Sequence, residues 1–380
     1  MYNETVSVHF AEFWTKTEKK RDYYKRKLFN KIFELTKDIA YAELLYDRVI
    51  VKTDKPSDVI ERLRYIPGIS WLGRSLEVKT DLDAIVKTAL DYINSSNERF
   101  RLNISRSEKS IPFTSKDIYD AIYSKARDRI DKGSSNVMKI RVMKDLTYIT
   151  PNRILGIGGF PPDSNGSALV LFSGGIDSPV ASYMAIKKGL KINYLHVHAF
   201  PSSDYIVDTK IFKLMKHLSR YNNRGRLFLA SFKDFQRSVL LLKERKYETL
   251  LFKRFLYKLA DRIAERYKIE SLVTGESISQ VSSQTISNLR TTEYGIDRLI
   301  IRPLIGLNKE EIIKMAREIG TYELSIEKYK DVCVFYYKHA ATRSHIEKIL
   351  DIERSIDLDA AVERAFNSIE VIDISSLTNS

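Results

Sequence analysis

The octapeptide Leu171-Phe172-Ser173-Gly174-Gly175-Ile176-Asp177-Ser178 lies between a short apolar run and a helix opened by Pro179. Two glycines let the backbone come close to an anion, and Ser173 and Ser178 offer hydroxyls. The helix N-terminus aims N–H groups and a partial positive charge at the same place. This is chemistry for a phosphate. The stretch lacks the Gly-Lys-Ser/Thr ending of a Walker A loop and the three-glycine dinucleotide fingerprint, so the common NTPase and NAD readings lose ground. Asp177 needs a separate account, because a carboxylate beside a phosphate repels it unless it coordinates Mg²⁺ or handles a proton. The same residues also make an ordinary helix cap after a tight turn, and at this level both readings stand.

A second chemical element is the single thiol, Cys333, in Asp331-Val332-Cys333-Val334-Phe335. One cysteine excludes an intrachain disulfide, a four-cysteine zinc site and a cluster held by cysteines of one chain. Lys328, Lys330 and Lys338 surround it in sequence and would favour the thiolate, although a buried, inert cysteine is the competing reading. The third element is charge. Lys and Arg outnumber Asp and Glu 63 to 49, a formal charge of +14. Residues 99 to 153 hold 13 basic and 6 acidic residues, about half of that excess. An anionic partner is implied; a solvated basic face is the alternative. Arg99, Arg101, Arg106 and Lys109 are the candidates for contacting it.

The elements that must position these groups fall into three stretches. The first 70 residues alternate strand and helix: a strand at Val6 to Phe10, a basic amphipathic helix at Lys16 to Thr36, strands within Ala42 to Thr53, and a helix at Pro56 to Leu63. A second α+β stretch, 71–163, carries a helix near Asp81 to Asn94 and a basic strand at Arg99 to Ile104. Its second helix runs from Ser115, read as the N-cap, to Ile130, before strands at Val137 to Val142 and Leu146 to Ile149. The Gly- and Pro-rich run Gly156 to Gly166 reads as a linker. From 167 to 380, apolar strands at Ala168 to Phe172, Ile192 to Val197, Arg226 to Ser231, Ser271 to Thr274 and Leu299 to Arg302 alternate with helices. That pattern predicts a doubly wound parallel α/β sheet, which binds ligands at the carboxyl ends of its strands. At 43% hydrophobic and 29% charged residues the chain has the composition of a globular protein. No apolar run approaches the roughly 18 residues a membrane helix needs, and Met1 to Phe10 reads as neither signal nor transit peptide, so a cytoplasmic protein is expected.

The loop Ser173-Gly174-Gly175-Ile176-Asp177-Ser178 resembles the pyrophosphate loop of ATP pyrophosphatases, enzymes that split ATP between its α and β phosphates to adenylate a carbonyl oxygen. Within that group the chain is similar to the tRNA 4-thiouridine synthetases, also called tRNA sulfurtransferases. The run Thr274-Gly275-Glu276-Ser277-Ile278-Ser279-Gln280-Val281-Ser282-Ser283-Gln284-Thr285 carries the resemblance, as do Asn288-Leu289, the stretch from Arg302-Pro303-Leu304 to Glu311-Ile312, and Ile319-Gly320-Thr321-Tyr322. Gly156-Ile157-Gly158-Gly159 and Pro112-Phe113-Thr114-Ser115 match as well.

The resemblance implies a ferredoxin-like domain at 1–70, a THUMP domain at 71–163 that holds tRNA, and a pyrophosphatase domain at 167–380. It places ATP on Leu171, Phe172, His196, Val197, Lys253, Gly275 and Gln284 around the loop from Ser173 to Ser178, with Asp177 on Mg²⁺ or a proton. His196 taken alone would be an ordinary structural histidine, and at Lys253-Arg254 relatives usually carry two arginines. Cys333 falls where relatives carry a catalytic cysteine. Their second cysteine, adjacent or in an appended rhodanese domain, has no counterpart here, which argues against the thiamine-thiazole role. The implied reaction adenylates O4 of uridine 8 in tRNA and replaces the oxygen with sulfur from a persulfide or sulfide, in a homodimer. Two alternatives compete: another adenylating enzyme acting on a small substrate, and a non-catalytic tRNA-binding protein.

Overall fold

The computed structural model describes residues 4 to 378 except 208, 223, 241 and 330–340, so Cys333, Lys330 and Lys338 lie outside the described residues. The chain divides into two compact units, Met1–Pro162 and Asp163–Ser380.

The first unit opens with β1 (Glu4–Phe10), α1 (Glu18–Thr36), β2 (Ala40–Leu44), β3 (Arg48–Thr53) and α2 (Pro56–Leu63), whose proline sits in the first turn, where its missing N–H costs nothing. It continues with β4 (Ile69–Lys79), α3 (Leu82–Ser95), β5 (Arg101–Arg106), α4 (Ser115–Lys125), β6 (Val137–Val142), β7 (Leu146–Thr150) and β8 (Ile154–Leu155). All the strands join one sheet in the order β2-β3-β1-β4-β7-β6-β5, with β8 on β4. The long strand β4 serves both halves: Ile69 to Ser75 pair with β1, and Leu76 to Lys79 with β7. Each half has its own apolar core. One gathers Val8, Leu28, Ile32, Val51, Leu63 and Leu72, the other Ile85, Ala89, Phe100, Ile122, Ile140 and Ile149. The expected boundary at residue 70 therefore falls inside a strand, and the first core takes residues from both sides of it, Ile69 and Leu72 among them.

Two local expectations are corrected. The N-cap of α4 is Thr114, whose hydroxyl accepts from the Asp117 amide while the Asp117 carboxylate accepts from the Thr114 amide, a reciprocal capping box; Ser115 is the first helical residue. The helix ends at Lys125 rather than Ile130.

The second unit runs β9 (Ser167–Leu171), α5 (Asp177–Lys187), β10 (Lys191–His198), α6 (Lys210–Leu218), β11 (Arg226–Ser231), α7 (Lys233–Val239), α8 (Glu248–Tyr267), β12 (Ser271–Val273) and α9 (Ile286–Glu293). Then follow β13 (Leu299–Ile301), α10 (Lys309–Glu318), α11 (Tyr322–Ile326), α12 (Ile346–Ser355), α13 (Leu358–Asn367) and β14 (Glu370–Asp373). The sheet order is β13-β12-β9-β10-β11-β14. Strands β9 to β13 are mutually parallel, and β14 pairs antiparallel with β11, an edge the sequence reading did not anticipate. The order reverses between β9 and β12. In doubly wound sheets this switch point opens a crevice at the carboxyl ends, and the Ser173 loop and Gly275 both leave their strands there. Side chains of α8 and α13 cover one face, with Phe228, Phe255, Leu259, Ile263 and Ala361 buried. No described helix is long and apolar enough to cross a membrane.

Candidate nucleotide site

Phe172 continues past β9 by donating its amide to the Leu195 carbonyl, and the chain then turns. Gly174 adopts φ +76, a left-handed backbone that a side chain disfavours, and a Cβ there would come within 2.3 Å of Ile211 Cδ1. The Gly174 amide donates to Ser178 Oγ at 3.3 Å and the Gly175 amide to Ser173 Oγ at 3.2 Å. These bonds fold the loop back onto the start of α5. That helix begins at Asp177, earlier than the Pro179 start expected, with the proline inside its first turn.

Above the loop lies a cavity of about 390 Å³, within the range of small-molecule sites. Of the sequence candidates, Leu171, Phe172, Ser173, Asp177, Ser178, His196, Val197, Lys253, Gly275 and Gln284 all line it. Gly174 and Gly175 shape the turn beneath it without lining it. Leu195, Phe252 and Leu256 add apolar wall. Gly275 is needed for closeness: a Cβ would lie 3.0 Å from the carbonyl carbon of Asp177 and from the Ser178 amide nitrogen. β12 can thus run its end against the first turn of α5.

His196 is buried and both ring nitrogens are engaged, Nδ1 with the Phe172 carbonyl at 2.8 Å and Nε2 with the Tyr329 hydroxyl at 2.7 Å. It clamps the exit of β9 and shapes the cavity wall. Gln284 Oε1 accepts from the Ser277 amide at 3.4 Å, and the Gln284 carbonyl accepts from the Ser279 amide.

Three partners escaped the sequence reading. Asp177 Oδ1 pairs with Lys309 Nζ at 2.6 Å, and Oδ2 accepts from Gln280 Nε2 at 2.9 Å. Both partners sit inside motifs already singled out, but nothing local says that they face Asp177. The third is Glu276. Its carboxylate takes Lys253 Nζ at 2.7 Å, the Tyr257 hydroxyl at 2.7 Å, Arg302 Nε at 3.1 Å and Thr274 Oγ1 at 3.2 Å. Burial alone would raise the Glu276 pKa; Lys253, Tyr257 and Arg302 outweigh it and hold the carboxyl at about 2. Arg254 turns away from the cavity: it forms a buried pair with Glu353 and donates to the carbonyls of Thr291 and Tyr294.

The residues present are compatible with Mg²⁺ only in a particular way. Among the described residues no three His, Cys, Asp or Glu gather as a ligand set. The ion would therefore be held chiefly by nucleotide phosphates, with Asp177 as its carboxylate, a common arrangement for Mg²⁺.

In the first unit Arg99, Arg101 and Lys109 are exposed. Arg106 is half-buried and structural, its Nη1 donating to the carbonyls of Ile111 at 3.2 Å and Phe113 at 2.6 Å. The difference is testable. Arg101→Ala should leave thermal stability unchanged and lower the slope of log affinity for tRNA against log salt by about 0.7 to 0.9, the effect of one lost phosphate contact. Arg106→Ala should destabilise by about 1–3 kcal/mol, because two carbonyls lose their donor.

A family model described as thiamine biosynthesis protein (ThiI) matches residues 163–358. The chain is 32% identical over 353 residues to a probable tRNA sulfurtransferase of Thermoanaerobacter sp. (strain X514), covering 90% of this chain and 93% of the relative. It is 34% identical over 346 residues to the probable tRNA sulfurtransferase of Caldanaerobacter subterraneus subsp. tengcongensis, covering 87% and 91%. Among solved structures, a 4-thiouridine synthetase in complex with RNA and with bound ATP superposes with a TM-score of 0.85 at 28% identity, covering 97% of this chain and 99% of that one. PH1313 from Pyrococcus horikoshii Ot3, at 20% identity and a TM-score of 0.63, shares the fold. With a pyrophosphate loop at the switch point of its sheet and this likeness over nearly its whole length, the chain belongs to the ThiI family of tRNA sulfurtransferases.

Proposed function

We propose that the protein is an ATP-dependent tRNA sulfurtransferase that adenylates O4 of uridine 8 and replaces that oxygen with sulfur, giving 4-thiouridine. ATP-dependent thiolation of tRNA is the activity its family and its structural likeness to an ATP- and RNA-bound synthetase carry. The observation that supports the finer reading is the cavity itself, where loop, strand ends and Asp177 converge.

In this reading the apolar wall of Leu171, Leu195, Val197, Phe252 and Leu256 takes the adenosine, and the loop from Ser173 to Ser178 takes the pyrophosphate. Mg²⁺, held by the phosphates and Asp177, would supply neutralisation of phosphate charge. Lys309 and Gln280 keep the Asp177 carboxylate oriented. Uridine O4 attacks the α-phosphorus and pyrophosphate leaves; sulfur then attacks C4 and AMP leaves. Activation is required because a carbonyl oxygen is a poor leaving group until it is esterified.

We assign sulfur delivery to Cys333, as a persulfide loaded by a cysteine desulfurase. After its terminal sulfur attacks C4, an external thiol must cleave the resulting disulfide, since the chain has no second cysteine. Free sulfide attacking directly is the other route. The domains at 1–70 and 71–163 hold tRNA through exposed bases such as Arg99, Arg101 and Lys109, and the enzyme works as a cytoplasmic homodimer.

The test is the fate of ATP. The protein with ATP, Mg²⁺ and sulfide should release AMP and pyrophosphate, not ADP, and only when unmodified tRNA is present. AMP release without RNA would favour an adenylating enzyme for a small substrate, and no turnover at all would favour a tRNA-binding protein.

A further inference from the structure

A second cavity in the catalytic unit has no part in the reading above. It measures about 250 Å³ and opens where β10 and β11 end beside β14; His198, Ser202, Ser203, Ser231, Lys233 and Arg237 are among its lining residues. Val197 lines the nucleotide cavity and the next residue, His198, lines this one, so the two flank the end of a single strand.

The acidic groups of this second cavity are already engaged. Asp234 pairs with Arg364 at 3.5 Å, and Glu370 accepts the Ser203 hydroxyl. Lys233 and Arg237 make no ion pair among the described residues. His198 is 5% exposed, and its Nδ1 has no hydrogen-bond partner among the described residues. Burial lowers its pKa, which the Glu370 charge and a hydrogen bond from the ring to the Phe200 backbone only partly oppose, so the ring is neutral near pH 7. A neutral imidazole carries one acceptor nitrogen, and Nδ1, the one without a partner among the described residues, is where an incoming donor would find it. A fitting ligand must therefore bring a hydroxyl or N–H group for His198 together with negative charge for Lys233 and Arg237.

Resting on the thiolation reading, we propose that this cavity holds a ribose-phosphate of the tRNA next to the target uridine. The phosphate lies between Lys233 and Arg237, and the ribose 2′-hydroxyl donates to His198 Nδ1. RNA carries both groups within one nucleotide, and the 2′-hydroxyl is what separates it from DNA. An RNA whose uracil enters the nucleotide cavity must bring its adjoining backbone to the same sheet edge, where this second cavity opens. His198, Lys233 and Arg237 are positioning residues.

The experiment uses the full chain, unmodified tRNA transcript, ATP, Mg²⁺ and sulfide, so that no donor protein takes part. The Lys233→Ala/Arg237→Ala variant should raise KM for tRNA roughly tenfold and flatten its salt dependence by about one phosphate contact, with KM for ATP unchanged. Transcripts with single 2′-deoxy substitutions beside the target uridine should raise the wild-type KM several-fold at one position and leave that of His198→Phe unaltered there; His198→Gln, which keeps an acceptor, should stay sensitive. If the wild type is active and the double variant keeps its tRNA KM, the proposal is wrong. Protection of the wild type from thermal unfolding by inorganic phosphate, with the tRNA KM of the double variant unmoved, would make this a free-anion site. In a parallel assay with a persulfide-loaded donor protein in place of sulfide, a KM change of the double variant for that donor alone, with its tRNA KM unmoved, would overturn the proposal and make this a protein-docking site. A wild type that makes no 4-thiouridine would instead overturn the thiolation reading.

Discussion

Replacing Asp177 with Asn should slow single-turnover thiolation by about 10²- to 10⁴-fold, the range associated with losing a positioned acid–base group, while tRNA affinity stays within twofold of wild type. The substitution preserves size and one acceptor oxygen, so the bond from Gln280 can persist, and Asp177 is only partly buried. What disappears is the negative charge at the phosphate end of the cavity, which Lys309 faces at 2.6 Å. Without it Lys309 loses that carboxylate partner, and among the described residues lining the cavity the one other carboxylate is Glu276, which Lys253 and Arg302 already occupy. Rapid-quench assays with saturating ATP would separate this from a binding defect. A rate within threefold of wild type would show that the Asp177 carboxylate serves only to hold Lys309 and Gln280.

Glu276→Ala should destabilise the catalytic unit by about 3–5 kcal/mol, a large share of the margin of a typical domain. The wild-type carboxylate is nearly buried and is shared by Lys253 and Arg302, with Tyr257 donating to it as well. Truncation leaves two cations and a hydroxyl in a low-dielectric pocket without their common acceptor; Arg302 retains Glu293, at 2.6 Å, but Lys253 retains no carboxylate among the described residues. Urea unfolding followed by circular dichroism measures the loss. The same residue predicts an acid limb. Its carboxyl is held at about 2 in the folded chain against an ordinary 4.5, so the unfolded state binds more protons between those values. Its contribution to stability is whole above about pH 4.5 and is lost as pH falls toward 2. In Glu276→Gln that part of the acid dependence should be missing. An unfolding midpoint equal to wild type, with an unchanged acid limb, would show that the network carries no net stability.

How much of this was legible before the structure depended on the range of the interaction. The loop from Ser173 to Ser178 is local: glycine backbone freedom, hydroxyl placement and the helix start are all set within a few residues, and the reading follows from them directly. Leu171, Val197 and Gly275 converge because successive parallel strands must end at one edge, a consequence of alternating strands and helices. Asp177 and Lys309 are 132 residues apart, however, and their pairing depends on how α10 packs on α5, which no local pattern encodes. The same holds for Arg254. Its sequence position beside Lys253 suggested a site role, yet α8 turns it toward Glu353, 99 residues on, while its neighbour faces the cavity. Edge strand β14 was missed because it is short and largely exposed, so it lacks the apolar run that marked the interior strands. Arg106 looked like its neighbours Arg101 and Lys109 in composition, and only the carbonyls of Ile111 and Phe113 reveal its structural use.

The most direct test of the central claim is mass spectrometry of nucleosides from unmodified tRNA treated with the wild-type protein, ATP, Mg²⁺ and sulfide or a cysteine desulfurase system. One 4-thiouridine per tRNA is expected, located at position 8, formed only with ATP and about a hundredfold or more slower with Asp177→Asn. Its absence with both sulfur sources, from protein that binds ATP and tRNA normally, would contradict the account.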